Sequence, residues 1–150
     1  MANQEHLDLI KRGVEEINAF AAQNPDVTID LSGADLASMS LSGLRIQGAN
    51  LAGVNLAGAG LQRALLNATN LTGANLCGAD LSGASFHRAD ISGADLRDVT
   101  FESAYPPRLC IHASSFDGVR WSREQVVSFL GMLNRNADWE IRYEIVPRQS

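Results

Sequence analysis

The sequence predicts an all-β solenoid that carries a helix at its N-terminal end and a helix plus a short strand at its C-terminal end. A large apolar residue stands at every fifth position between residues 31 and 101, and a small or apolar one precedes it by two positions. Helices repeat about every 3.6 residues and strands about every two, so neither can bury such a series on one side. The chain must therefore coil with a turn that is commensurate with five residues.

The period-five series is unbroken over fifteen consecutive units. The residue two places before each large one is most often alanine, so one large and one small side chain from each unit can fill a narrow interior. Glycine follows in many units, at positions suited to a sharp turn. The large residues are Leu31, Leu36, Leu41, Ile46, Leu51, Leu56, Leu61, Leu66, Leu71, Leu76, Leu81, Phe86, Ile91, Leu96 and Phe101.

The repeating unit reads Ala-(Asp/Asn)-Leu-Ser-Gly and is clearest at residues 79–83. In this pattern residues 29–103 resemble the pentapeptide-repeat family, and residues 109–121 resemble it loosely. The resemblance implies a right-handed quadrilateral β-helix, in which each unit forms one side and four units complete a coil. It also implies that the large residue and the small one before it point inward, while the other three point outward.

Residues 1–28 are predicted to form a cap that covers the backbone groups left open at the first coil. Within them, residues 4–23 are expected to form a single amphipathic helix that starts at an Asn3 N-cap and ends at Asn24-Pro25. A helix on a membrane surface is the alternative, but five acids and two bases in residues 1–28 disfavour anionic lipid. The apolar stripe consists of Leu7, Ile10, Val14, Ile17 and Ala21, flanked by Leu9 and Phe20.

The repeat becomes irregular after residue 103. Pro106 falls where a large apolar residue is due, and Pro107 follows it. We therefore expect residues 104–121 to form an irregular last coil with a bulge at residues 105–108. The residues that return to the five-residue register are Ile111, Phe116 and Trp121.

Residues 122–150 form a predicted C-terminal segment of one helix and one strand. Ser122 and Gln125 make a capping box for a helix over residues 123–134, and apolar and charged residues alternate over 139–145 as in a half-buried strand. The segment either caps the last coil of a monomer, which we favour, or pairs with a second chain. The candidate contacts are Phe129, Leu133, Trp139 and Tyr143.

The outer surface can be drawn from the sequence, because residues twenty apart should stack on the same side. The first two sides then carry regular columns of Asp and Asn, whereas the fourth side does not. The outward columns are Asp30, Asn50, Asn70 and Asp90 on the first side; Asp35, Asn55, Asn75 and Asp95 on the second; Ser40, Gly60, Asp80 and Thr100 on the third; and Arg45, Leu65, Ser85 and Tyr105 on the fourth.

Two surfaces are candidates for binding. The Asp/Asn columns are best interpreted as turn-stabilising ladders, and an acidic binding face made of Asp30, Asp35, Asp90 and Asp95 is the alternative. The fourth side is richer in residue types common at protein interfaces, although tolerance of a degenerate repeat would also explain it. Its candidate partner residues are Arg45, Arg63, Leu65, His87, Arg88 and Tyr105.

Nothing in the sequence points to an enzyme, a metal or a cofactor. Zinc and phosphate-loop motifs are missing, and the acids fall on flat outer sides rather than in a cleft. The net charge of −5 and pI of about 5.1 disfavour direct nucleic-acid binding, and no apolar run reaches membrane-spanning length. Cys77 and Cys110 are expected to be free thiols, which favours a cytoplasmic location.

We therefore expect a non-enzymatic interaction or scaffold protein whose partner is an unidentified protein. The alternative is a DNA-mimic modulator of a type II topoisomerase, which a likeness to the quinolone-resistance members of the family would imply. Residues 29–103 carry seven acids and four arginines, a net charge of −3. That is a weak imitation of a duplex with one charge per ~1.7 Å of axis.

Overall fold

Residues 29–100 wind into a β-helix in which each coil pairs with the next at a spacing of twenty residues. The computed structural model describes residues 2–100 and 110–112. Parallel bridges join the coils in four columns, one for each side. The bridged columns are Asp30–Asn50–Asn70–Asp90, Asp35–Asn55–Asn75–Asp95, Ser40–Gly60–Asp80–Thr100 and Arg45–Leu65–Ser85. The repeat β-helix implied by the resemblance is confirmed, and its right hand stays a prediction.

Backbone hydrogen bonds hold the coils together in both directions. Leu31 N–H donates to the Asn50 carbonyl at 2.9 Å, and Asn50 N–H donates to the Ile29 carbonyl at 2.8 Å. A side of five residues leaves little extended backbone between its corners, so most sides contribute one bridged residue. In the described part of the chain, only Ser85–His87 (β1) and Cys110–His112 (β2) form three-residue strands, and they pair in parallel.

The large residue of each unit faces the interior. The fourteen such residues from Leu31 to Leu96 are at most 2% exposed, whereas Phe101 lies outside the described residues. The corners are tight turns: Ala34 N–H donates to the Leu31 carbonyl, and Gly33 between them has a φ of +67°. Position i+2 of a type II turn requires that sign of φ, which glycine adopts without strain.

The N-terminal segment forms two helices, Gln4–Arg12 (α1) and Val14–Gln23 (α2). The expectation of a single helix over residues 4–23 is wrong, because Gly13 adopts φ +145° and ψ 166°, a backbone region open essentially to glycine alone. The predicted ends are correct: the Asn3 side chain accepts from the Glu5 and His6 N–H groups, and α2 ends before Asn24. Neither helix has the length and apolar character needed to cross a membrane.

Both helices cover the first coil. Ile10 and Ile17 are fully buried and belong to the same apolar cluster as the leucines of the coil. The Asn3 N–H donates to the Asp30 carbonyl at 3.0 Å, which ties the start of α1 to the open edge of the first coil. Packing and hydrogen bonding together therefore close part of the edge that a solenoid leaves open.

The twenty-residue spacing fails between residues 100 and 110. Asp80 still pairs with Thr100, but Ser85 pairs with Cys110, twenty-five residues later. The expectation that Tyr105 stacks on Ser85 is therefore wrong, because the chain reaches that position five residues late. Prolines 106 and 107 lie in this interval, and a proline has no N–H to donate to the next coil.

The predicted irregular coil over residues 104–121 and the predicted C-terminal helix and strand lie outside the described residues, apart from Cys110–His112. Tyr105 and the candidate cap or dimer contacts Phe129, Leu133, Trp139 and Tyr143 lie outside them as well.

Candidate interaction surface

The fourth side consists of residues 44–48, 64–68 and 84–88, with Arg63 at the adjoining corner. Arg45, Leu65 and Ser85 are bridged in one column, so their side chains occupy equivalent outward positions in three successive coils. Leu65 is half-buried, while Arg45, Arg63 and Arg88 are exposed. The structure thus brings together five of the predicted partner residues, His87 included, on one flank of the coil.

Backbone strain marks the two ends of the fourth side. Arg63, Ala68 and Arg88 have φ values of 59°, 57° and 59° at corner positions where most units carry glycine. A left-handed conformation costs a non-glycine residue roughly 1–2 kcal/mol. The chain therefore places two arginines where the backbone alone favours glycine.

Charge is segregated between the sides of the coil. The arginines of the coil residues 29–100 are Arg45, Arg63, Arg88 and Arg97. Arg97 forms an ion pair with Asp95 at 2.7 Å on the second side, and its hydrogen bond with Asp95 raises the pKa of the guanidinium. The side chains of the other three form no ion pair or hydrogen bond with any described residue. The fourth side contains no acid, whereas Asp30, Asp35, Asp80, Asp90, Asp95 and Asp98 all lie on the first three sides.

Asn67 orders the polar half of the fourth side. Its Oδ1 accepts from the Ser85 hydroxyl at 2.6 Å and from the His87 N–H at 2.9 Å. Asn67 itself is half-buried, while the His87 side chain is exposed. These bonds fix the backbone between two neighbouring coils, so the arginine at position 88 extends from a rigid platform.

The Asp/Asn columns form side-chain ladders, as the preferred interpretation expected. Asn50 Nδ2 donates to Asp30 Oδ1 at 3.2 Å, and Asn70 Nδ2 donates to Asn50 Oδ1 at 3.3 Å. The second side repeats this arrangement, with Asn55 donating to Asp35 at 2.9 Å and Asn75 donating to Asn55 at 3.0 Å.

The same side-chain oxygens also stabilise the corners. The Oδ1 atom of Asp30 accepts the Ser32 N–H at 3.0 Å, and Asn50 Oδ1 accepts the Ala52 N–H at 3.3 Å. Such Asx turns explain a carboxylate or amide at this position without any ligand.

The acidic alternative is weakened by this geometry. The carboxylates of Asp30 and Asp35 lie on the first coil and those of Asp90 and Asp95 on the fourth, with two coils of amides between them. Each candidate acidic column is therefore neutral in the middle. The described part of the chain also contains no group of His, Cys, Asp or Glu that could hold a metal ion.

Two aspartates have a lowered pKa. The backbone and side-chain hydrogen bonds from Ser32 lower the pKa of Asp30 below 3.8. At Asp80 burial raises the pKa, but hydrogen bonds from Ser82, and from Gln62 at 2.6 Å, outweigh it and lower the pKa. Both carboxylates are therefore charged and hydrogen-bonded in the folded protein, which indicates a structural role.

Two polar residues that no sequence pattern singled out hold the cap on the first coil. His6 is buried, its Nδ1 accepts the Asp30 N–H at 3.0 Å, and its ring meets Phe20 edge-on at 5.4 Å. Asn18 donates to the Gly43 carbonyl at 3.0 Å and accepts the Arg45 N–H at 2.7 Å. Asparagine is a weak helix former, so the position of Asn18 inside a helix was the one sequence feature that could have indicated its contact with the coil.

A cleft of about 600 Å³ opens where α2 leaves the first coil. Its walls include Glu15 and Asn18 from α2, Val27 from the lead-in, and Arg45 and Gln47 from the fourth side. Val27 is 45% exposed at this cleft. The cleft thus continues the fourth side toward the N-terminal cap.

Comparison with known proteins identifies the repeat. A family description of pentapeptide repeats, with eight copies, matches residues 29–67 and 59–98. The crystal structure of a pentapeptide repeat protein from the cyanobacterium Cyanothece 51142 is similar, with 32% identity and a TM-score of 0.51. That match covers 63% of this chain and 58% of the cyanobacterial chain, so this chain spans less than two thirds of it.

Two other structures align less closely. QnrB1, a plasmid-mediated fluoroquinolone resistance protein, has 20% identity, a TM-score of 0.30, and coverage of 72% of this chain and 64% of its own. A pentapeptide repeat protein of the Arabidopsis thaliana thylakoid lumen has 26% identity, a TM-score of 0.27, and coverage of 69% and 75%. Among functionally curated proteins, none matches this chain.

Proposed function

Because the chain belongs to the pentapeptide-repeat family, we propose that it is a non-enzymatic interaction or scaffold protein that binds a protein partner through the fourth side of its coil. The observation that carries this proposal is the break in the surface pattern. The first two sides use their outward residues in Asp/Asn ladders, whereas the fourth side presents Leu65 among three arginines whose side chains have no partner among the described residues. An apolar centre with a charged rim is typical of protein interfaces.

The rigidity of the coil supports the same role. Backbone hydrogen bonds of 2.7–3.3 Å connect the fourth-side residues 46, 48, 65, 66, 68 and 85 to neighbouring coils. Such a surface binds without a large cost of ordering its backbone.

A quantitative pull-down from a lysate of the source organism tests the proposal. The unmodified protein is compared as bait with a Leu65→Asp/Arg88→Glu variant, whose net charge is lower by three. The matched control is Ala52→Asp/Ala57→Asp/Thr72→Asp, which also lowers the net charge by three but alters the first two sides. We expect partners that the control retains and the fourth-side variant loses. The thermal melt of each bait is recorded to show that it is folded. Equal recovery of partners with all three baits would show that the fourth side does not bind them.

The DNA-mimic alternative is less well supported. It needs a continuous negative surface, whereas the acidic columns are interrupted by Asn50, Asn55, Asn70 and Asn75 and the fourth side is basic. A gyrase supercoiling assay separates the two functions. We expect no change in supercoiling at equimolar protein, and inhibition or drug protection would favour the mimic.

The remaining assignments belong to the same proposal. We propose a cytoplasmic monomer without a cofactor, in which the C-terminal segment caps the coil. Cys77 is half-buried and carries a free thiol, which suits a reducing compartment. Light scattering at micromolar concentration tests the oligomeric state, and a dimer mass would favour pairing through the C-terminal segment.

A further inference from the structure

We propose that the partner segment bound by the fourth side is a short, extended, acidic stretch of polypeptide. This inference rests on the proposed function, because it specifies the chemistry of the partner at the same surface. It starts from the charge segregation: the side chains of three arginines have no partner among the described residues, and the fourth side has no acid, in a chain whose net charge is −5.

The arginines set the chemistry of the occupant. A guanidinium binds a carboxylate through two parallel hydrogen bonds, and this pairing is geometrically specific. Arg63 and Arg88 lie at corner positions on opposite edges of the fourth side and one coil apart. Leu65 lies between them, half-buried, in the central column. Two guanidinium groups that flank an apolar residue fit a segment in which acidic residues flank an apolar one.

The dimensions favour a short segment over a folded surface. Three coils at a spacing of ~4.8 Å give a strip ~10–15 Å long. An extended chain advances ~3.3 Å per residue, so three to five residues, on the order of one strand, span the strip. The strip is much smaller than the ~800 Å² that each partner of a stable globular complex buries.

A nucleic acid fits this surface less well. A duplex is longer and wider than the strip and would pass the acids of the neighbouring sides, such as Asp80 and Asp90, which repel phosphate. Leu65 also gives an apolar contact at the centre, which a phosphate backbone does not use. Glu15 lines the cleft beside Arg45, and its carboxylate would repel an acidic segment there. The proposed carboxylate-binding strip is therefore centred on Arg63 and Arg88.

The strain at the corners supports the inference. Arg63 and Arg88 hold φ values of +59° where neighbouring units use glycine. Outliers of this kind concentrate where a side chain has a role that offsets its conformational cost. Both positive charges therefore lie at corner positions with a positive φ, a conformation that Ser38, Ala68 and Asp98 also adopt.

Photo-crosslinking in cells of the source organism tests the inference directly. The full chain carries p-benzoyl-phenylalanine in place of Leu65, and a matched control carries it in place of Ala57 on the second side. Each is combined with Arg63→Glu/Arg88→Glu or with Arg63→Lys/Arg88→Lys, and the thermal melt of every variant is recorded. Mass spectrometry then identifies the crosslinked segment.

We expect position 65, but not position 57, to crosslink to polypeptide segments rich in Asp and Glu. Charge reversal should lower the yield at least about tenfold, whereas the lysine pair, which keeps both charges but loses the bidentate geometry, should lower it by less than charge reversal does. A crosslink to nucleic acid, or to a segment without acids at a yield that charge reversal does not change, overturns the inference. Protein crosslinks without acid dependence would leave the proposed function standing, while no protein crosslink at position 65 would overturn both.

Discussion

Asn50 Nδ2 donates to Asp30 Oδ1 across neighbouring coils at 3.2 Å. Asp30 occupies the first coil, where no earlier coil offers an acceptor for an amide, so a carboxylate that only accepts is sufficient there. Asn50 and Asn70 lie further along the column, and an amide can both donate to the preceding coil and accept from the next one. The direction of the ladder therefore accounts for a carboxylate in the first coil and amides in the next two.

Changing Asn50 to Asp should destabilise the protein at neutral pH. The new carboxylate would face the Asp30 carboxylate and lose its donor, and we expect a loss of about 1–3 kcal/mol in the free energy of unfolding. Part of the loss should disappear as the pH falls toward 4, because one of the two carboxylates takes up a proton. Urea unfolding at pH 7 and pH 4.5 measures this, with Asn50→Ala as the uncharged control. Equal losses for both variants at both pH values would contradict the ladder.

Changing Ala68 to Gly should stabilise the protein. Ala68 has a φ of +57°, and glycine removes that strain at the expense of a more flexible unfolded chain. We expect a net gain of about 0.5–1 kcal/mol in the free energy of unfolding. Ala57→Gly is the control. Ala57 does not have a positive φ, so glycine there only makes the unfolded chain more flexible and should lower the free energy of unfolding. A loss of similar size in both variants would show that the corner is not strained.

Changing Asn18 to Ala should loosen the N-terminal cap. The variant leaves the Arg45 N–H and the Gly43 carbonyl without their partner, which should lower the free energy of unfolding by about 1–3 kcal/mol. Asn18→Asp keeps the acceptor and should lose less. Hydrogen exchange of the Arg45 amide locates the effect, and Glu16→Gln on the exposed face of α2 serves as the control. An unchanged exchange rate at Arg45 would count against this contact.

The stability of the protein should fall on acidification below pH 4. The pKa values of Asp30 and Asp80 are lowered by their hydrogen bonds, so the folded state favours the charged carboxylates. A lowered pKa adds stability that is present above the ordinary value of 3.8 and is lost as the pH falls through the folded value. Thermal melts from pH 6 to pH 2.5 measure this dependence. Asp80→Asn should show a shallower decline than the parent protein, and a steeper decline would contradict the assignment.

The coil was predictable because its determinants are local and repeated. The spacing of Leu31, Leu36 and the residues that follow defines the period, and the bridges between residues twenty apart confirm the columns that this period predicted. The shift at Ser85–Cys110 was not predictable in size, because two prolines mark where the ladder is interrupted but not how many residues it loses.

The cap was predictable only in part. The apolar stripe located the helical segment, yet the break at Gly13 depends on one backbone conformation that a hydrophobic period does not report. The contacts of His6 with Asp30 and of Asn18 with Arg45 join residues 24 and 27 apart. Such contacts depend on how the helices lie over the coil, which no local pattern specifies.

The sequence predicted which residues share the fourth side, but not which of the arginines form an ion pair. The twenty-residue arithmetic placed Arg45 and Leu65 in one column, as observed. The ion pair between Arg97 and Asp95 and the positive φ values at Arg63 and Arg88 became evident only from the structure.

The most direct test of the fourth side as the recognition surface is amide mapping by NMR. The ¹⁵N-labelled chain is titrated with the partner recovered in the pull-down, and the shift of each assigned amide is followed. We predict that the perturbed amides cluster in residues 44–48, 63–68 and 84–88 and that Arg63→Glu/Arg88→Glu abolishes the change. Perturbations that follow the Asp30 or Asp35 columns, with the fourth side unchanged, would contradict the account.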